Sequence, residues 1–355
     1  MYPKIEINLN HIIENTKKVA EMCKEKNVTL AVVTKVFADY KPIVEALVEN
    51  GVKCICESRI QNLKSYQSLK VEKWLIREPA LCEIAEVVAY SDLSLNSEKI
   101  TIQALNEEAK KQNKIHNIVL MYELGDLREG ADKEELRELI KESVTLSHIK
   151  VKGIGVNLSC YGAIMPSREN MQELKELVEE MEKEFNITFD IISGGNSTSY
   201  EMIKQGKIPK IINHFRMGEA VLLGNIPCIE KPISDLHQDN FILSTQIVEV
   251  KEKPSVPRGI CGEVDSFGEA PKFEDKGIRK RALVNIGKQD ISLNSIKPLD
   301  TNITVLGGSS DYAILDVTDS NQNYQVGDIV KFELNYSGVL GAMSSKYVEK
   351  EIRKD

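Results

Sequence analysis

No run of this chain is apolar for the ~20 residues that a hydrocarbon span requires, and the leading MYPKIEINLNHIIENTKK has no apolar signal core. The expectation is a cytoplasmic protein with no membrane partner. Surplus positive charge is also missing. The chain has 46 lysines and arginines against 54 aspartates and glutamates, a net charge of −8. No basic stripe is left to neutralise phosphates, so nucleic acid is not an expected partner. Cysteines at metal-ligand spacing are lacking as well. The 7 cysteines are odd in number and scattered. Cys54 and Cys56 lie two apart on a predicted strand and face one way. With no second Cys/His pair nearby, buried reduced thiols are expected rather than disulfides, and no metal. No low-complexity tract and no internal repeat of about 20 to 50 residues is present.

What is present is a long alternation of strands and helices. At 355 residues the chain exceeds one small core and suggests two domains, one large enough for a barrel. Strands are predicted at Leu30–Thr34, Cys54–Cys56, Trp74–Ile76, Leu93–Leu95, Asn117–Glu123, Val151–Val156, Phe189–Ser193 and Ile211–Phe215. Helical patterns separate them, the clearest being Met171, Leu174, Leu177, Val178 and Met181 on one face. Others are Lys41–Glu49, ended by Gly51, and Lys99–Gln112. An amphipathic helix at Asn10–Lys24 precedes them all. Strands followed in turn by helices and buried on both faces predict an α/β fold: a (β/α)8, TIM-like barrel over residues 1–226. A doubly wound open sheet is the rival. After 226 the texture changes. Pro227, Pro232, Pro254 and Pro257 break helices, and ALVNIG, ITVLGG, YAILDVT and VGDIVKFEL read as short strands. Residues 227–355 are therefore expected to form a smaller, mostly β carboxy-terminal domain.

In such barrels chemistry gathers where the strands exit at their carboxyl ends. The first strand leaves as TLAVVTKVFADY, which puts Lys35 at the mouth above a dry core. An amine there can condense with an aldehyde; a lysine merely snorkelling to water is the plainer reading. The seventh leaves as FDIISGGNSTSYEMIKQG, where Gly194 and Gly195 permit close backbone approach and Asn196, Ser197 and Thr198 can cap a helix whose free N–H groups suit an anion. The eighth leaves as NHFRMGEAVLLG, with Arg216 and Gly218. Two glycine turns after strands seven and eight are where barrels commonly bind phosphate. The fifth exit offers Glu123, Asp126, Arg128 and Glu129, and the sixth Asn157, Cys160 and Tyr161. Each could equally be an ordinary solvated loop group.

Taken together these residues resemble the alanine racemase family, which pairs a pyridoxal-phosphate barrel with a β domain, and the likeness covers nearly the whole chain. The resemblance implies pyridoxal 5′-phosphate as cofactor, held by Lys35 as a Schiff base, with Asn196, Ser197, Gly218 and Glu219 around the phosphate. It places Arg216 against the pyridine nitrogen and Arg128 near the phenolic oxygen. GGSSDYAILDVT matches a substrate-side segment of the second domain, with Ser310 and Asp311 at the key positions. The activity implied is racemisation of a small-molecule amino acid, and the assembly implied is a homodimer.

Departures from the family pattern are specific. The phosphate-binding tyrosine aligns with Asp39, leaving Tyr40 as its stand-in; Asn157 replaces a histidine that packs on the cofactor ring; Met121 stands where many members carry a carbamylated lysine. The second catalytic tyrosine aligns with Phe267, in Ser266-Phe267-Gly268, which carries no acid or base. Tyr161 is taken as the catalytic group for the opposite face, with Cys160, Asp265 and Glu269 as alternatives. Asp265, Glu269 and Asp311 could hold the terminal ammonium of an ornithine or lysine side chain, which would be costly to bury unpaired. A racemase of alanine or another amino acid, a decarboxylase of basic amino acids on the same fold, a non-enzymatic pyridoxal-phosphate carrier and an unrelated Schiff-base aldolase all remain open at this point.

Overall fold

A computed structural model describes residues 1–229, 231–270 and 272–353. The chain divides into two compact units, Asn10–Gln238 and Met1–Leu9 together with Asp239–Asp355. The division differs from the boundary expected at 226/227, and hydrogen bonds explain why. Ile233 N donates to Gly224 O at 2.8 Å, His237 N donates to Asn15 Oδ1 at 2.8 Å, and Lys204 pairs with Asp235 at 3.0 Å. These tie the proline-interrupted segment to the barrel unit. Conversely, Lys4–Ile7 pairs antiparallel with Phe241–Pro254 and parallel with Glu349–Ile352, so the amino terminus is a strand of the second unit.

The first unit is a closed parallel barrel. Its strands, in order, are Thr29–Val33, Cys54–Glu57, Glu72–Leu75, Leu93–Asn96, His116–Tyr122, Ile149–Val156, Ile191–Ser193 and His214–Met217. The eighth pairs with the first through Leu30–Phe215 and Val32–Met217, which closes the ring and rules out an open sheet. Alternate residues point inward. Ala31, Val33, Cys54, Cys56, Trp74, Leu93, Leu95, Val119 and Met121 make one buried cluster, with Cys54 and Cys56 on the same side as their spacing requires. The eighth strand begins later than the sequence pattern suggests. Ile212 N bonds Pro209 O at 3.0 Å, so residues 209–212 form a turn instead, and Asn213 Oδ1 accepts from Ile192 N at 2.9 Å.

Helix Arg168–Phe185 shows how the outer layer is specified. Ser167 and Asn170 form a reciprocal cap at its start, Asn186 ends it in the left-handed conformation at φ 50°, and Met171, Leu174, Leu177, Val178 and Met181 are buried. Each such side chain contributes about 1.5–3 kcal/mol of burial. In the second unit, an antiparallel sheet runs in the order Ile296–Pro298, Ile329–Leu334, Phe241–Pro254, Ile278–Val284, Ala313–Asp316 and Thr304–Gly308. A helix, Tyr336–Ser344, escaped the sequence reading. Among the described residues no helix is long and apolar enough to cross a membrane. All the cysteines are unpaired. Only Cys23, Cys54 and Cys56 are buried; Cys82, Cys160, Cys228 and Cys261 are exposed, against the expectation of buried thiols.

Candidate active site

Lys35 opens a short 3-10 turn, Lys35–Phe37, directly at the exit of the first barrel strand. It is half-buried, and its ammonium has no hydrogen bond or ion pair among the described residues. Its neighbours are fixed. Thr34 is buried, with its hydroxyl 3.2 Å from Cys56 O and 3.0 Å from Glu57 Oε1. Tyr66, fully buried, donates its hydroxyl to Ala38 O at 3.0 Å, pinning a turn in which Ala38 adopts φ 52°. Glu57 also accepts from Ser58 N and Asn62 Nδ2, each at 3.1 Å. Burial pushes its carboxyl up to about 7 despite these bonds, because removing the charge from water outweighs them.

The eighth strand brings its glycine turn alongside. A Cβ on Gly218 would lie 3.1 Å from Val33 Cβ and Val33 O, so the absence of a side chain permits that approach two residues before Lys35. Ala220 N donates to Ser197 Oγ at 3.1 Å, which joins this turn to the one after strand seven. There Gly195 has φ +116°, and a Cβ on Gly194 would strike Ile212 and the Phe215 ring at 2.6 Å. Ser199 Oγ is buried within this cradle with no hydrogen-bond partner, and it is the nearest atom, at 3.7 Å, to where a Gly195 Cβ would stand. Such an orphaned hydroxyl costs free energy unless a ligand meets it.

Arg216 projects into the mouth from the eighth strand and is 4% exposed. Its guanidinium donates to Ser193 Oγ and, at 2.7 Å, to Val156 O. Both acceptors are neutral, and burial lowers its pKa. The guanidinium thus retains donor capacity for an acceptor not supplied by the fold.

The fifth and sixth exits are locked together by Asp126. Far from being a solvated loop charge, it is 1% exposed. Its carboxylate accepts from Asn157 Nδ2 at 3.1 Å, Cys160 N at 3.0 Å, and Tyr161 N and Gly162 N at 3.1 Å each. Asn196 crosses from the seventh exit, its Nδ2 donating to Leu158 O at 2.6 Å. Arg128 lies at the rim, paired with Glu129.

Lys35, Arg128, Asn157, Asn196, Ser197, Arg216, Gly218 and Glu219 therefore all sit at one end of one barrel. Tyr40 caps the helix Lys41–Glu49 and is half-buried, with burial raising its phenol. Tyr161 turns outward, 75% exposed. Asp265, Glu269 and Asp311 belong to the other unit. There Lys288 holds Glu269 at 2.7 Å and Asp265 at 3.4 Å, while Asp311 is exposed. Sequence reasoning did not single out Thr34, Glu57, Tyr66 or Ser199. Only their distance from the strand exits could have hinted at them.

A closed barrel carrying a lysine at its first strand exit and glycine turns at its last two defines an α/β-barrel class with its polar groups gathered at one mouth. Comparison narrows it: residues 7–225 match the family described as alanine racemase, N-terminal domain, and the chain belongs to that family. It is 46% identical over 353 residues to an ornithine racemase of Acetoanaerobium sticklandii, covering 99% of this chain and 100% of that one. It is 37% identical over 352 residues to a lysine racemase of Thermotoga maritima, covering 99% and 98%. Among solved structures it resembles an alanine racemase of Bartonella henselae with covalently bound pyridoxal phosphate, at a TM-score of 0.72, 17% identity and 99% coverage of both chains.

Proposed function

We propose that this chain is a pyridoxal-phosphate-dependent amino-acid racemase acting on a basic amino acid, ornithine foremost. The observation that carries the reading is the juxtaposition, in one barrel mouth, of the strand-end amine Lys35 with the buried Arg216, whose hydrogen bonds reach only neutral groups. The residues present fit the cofactor. The cradle of Gly194, Gly195 and Gly218, with the orphaned Ser199 hydroxyl, suits a phosphate, with Asn196, Ser197, Glu219 and Tyr40 around it. Lys35 would hold the aldehyde, Arg216 the ring nitrogen, Arg128 the phenolic oxygen and Asn157 the ring face. When bound, the group supplies a sink for the electron pair left at Cα.

The chain's own groups do the rest. The Lys35 amine takes a proton from one face of Cα, or returns it there. Arg216, which donates and cannot accept, leaves the acceptor it faces unprotonated. Asp126 holds the sixth-strand loop in place beside the reacting centre. Relatives described as ornithine and lysine racemases support a substrate with a terminal ammonium. A cytoplasmic homodimer is the setting we assign. Incubation with L-ornithine, L-lysine or L-alanine in deuterated water, read by chiral chromatography and Cα deuteration, tests the reading. D-ornithine should appear about 10- to 150-fold faster than D-alanine, as a charge-assisted hydrogen bond of ~1.5–3 kcal/mol requires. Absence of any D-amino acid, or release of carbon dioxide instead, would contradict it.

A further inference from the structure

Racemisation needs a proton-transfer group on each face of Cα, and Lys35 accounts for one. The second-domain position where the family resemblance looks for the other holds Phe267, whose ring has no exchangeable proton and lies 4.3 Å beneath the Lys288 ammonium. Tyr161 directs its side chain to solvent. Asp265 is occupied by Phe267 N, Glu269 N and Lys288, and Glu269 by Lys288. Cys160 is exposed as well, but its sulfur is engaged at the barrel mouth. Its sulfur donates to Asn157 Oδ1 at 3.3 Å and accepts from Asn196 Nδ2 at 3.7 Å, the two amides assigned to the cofactor.

Its position around the ring matters as much as its partners. From Lys35 at the first strand, the mouth passes Arg216 on the eighth, Asn196 on the seventh, and reaches Asn157 and Cys160 on the sixth. Lys35 and Cys160 therefore stand on either side of the arginine and amide that would hold the ring. Asp126 fixes the backbone at Cys160, Tyr161 and Gly162 through three N–H bonds. Resting on the racemase reading, we propose that Cys160 is the catalytic acid and base for the face opposite Lys35, with Asp126 as its positioning residue.

The step balances without a further reactant. In one direction the Lys35 amine takes the α-proton, and the C–H electron pair stays with the substrate carbon and the group attached to it. A proton from Cys160 Sγ then forms the new C–H bond on the other face, leaving a thiolate. Exchange with water returns both groups to their starting states, and the reverse reaction swaps their roles.

The decisive variant is Cys160→Ser, of similar shape but without an acid of useful strength. In deuterated water the variant holoenzyme should lose racemisation by about 10²–10⁴-fold, the range of one general acid or base. It should still exchange the α-proton of one enantiomer with retained configuration, through Lys35. A second readout does not depend on turnover. Iodoacetamide should alkylate Cys160, located by peptide mass spectrometry, on the order of tenfold more slowly in the holoenzyme than after hydroxylamine has stripped the cofactor. Wild-type racemisation by Cys160→Ser, loss of exchange for both enantiomers, or alkylation indifferent to cofactor would each overturn the assignment. A wild-type protein that racemises nothing would overturn both this assignment and the reading beneath it.

Discussion

At Thr34 one hydroxyl proton faces two acceptors, Cys56 O at 3.2 Å and Glu57 Oε1 at 3.0 Å, and it can serve only one of them. A protonated Glu57 resolves the conflict by donating to Thr34 while Thr34 donates to Cys56. Burial, which pushes Glu57 up to about 7, favours the same state. An unfolded glutamate loses its proton near ~4.3, so between that pH and about 7 the folded state holds the extra proton. Stability should therefore fall as pH rises through this window and level off above it. Glu57→Gln, whose amide can donate to Thr34 and whose oxygen can accept from Ser58 and Asn62, should flatten that decline. Relative to its own stability at pH 4.5, it should retain on the order of 2–3 kcal/mol more than wild type at pH 8. Urea denaturation at the two pH values measures the slope, and parallel slopes would refute the buried neutral acid. Nothing in CICESRIQN advertises this. A sequence displays Glu57 as one more charged residue, and its burial depends on Thr34 and Asn62 arriving from separate elements. The same limit hid the burial of Asp126, a residue singled out at the fifth exit: GDLREG reads as a charged loop until the sixth-strand backbone closes over it.

Elements were far more legible than their partners. Each of the eight barrel strands lies where β-branched runs predicted one, because strands buried on both faces need no partner-specific pattern to be recognised. The error fell at the eighth, where the strand expected at Ile211–Phe215 starts only at His214 because the backbone of 209–212 is spent on a turn. The glycine turns were legible too, though not the reason for them. At Gly194 the constraint is space: a Cβ would sit 2.6 Å from Ile212 Cγ2 and the Phe215 ring. Gly194→Ala should lower stability by ~1–3 kcal/mol through overpacking, or roughly 3–10 °C in melting temperature for a unit of this size. It should also weaken cofactor binding by displacing Asn196 and Ser197. An unchanged melting curve would show that the turn has room the structure denies it.

At the scale of the whole molecule, linear reading placed the boundary at a change of texture, whereas the fold places it where hydrogen bonds change allegiance. The segment from Asn225 to Gln238 joins the barrel unit through Gly224, Asn15 and Lys204, and Lys4–Ile7 leaves it to pair with Phe241–Pro254 and Glu349–Ile352. Pairings separated by hundreds of residues leave no local mark in composition or periodicity. The catalytic reading survives this shift because every group assigned to the cofactor lies within Asn10–Gln238. Its central claim is chemical: one lysine among the chain's many is bonded to the aldehyde of pyridoxal phosphate. Borohydride reduction of the purified holoenzyme, followed by proteolysis and mass spectrometry, tests that claim directly. The account predicts a single phosphopyridoxyl adduct on Lys35, lost in Lys35→Ala; an adduct on a different lysine, or none at all, would contradict it.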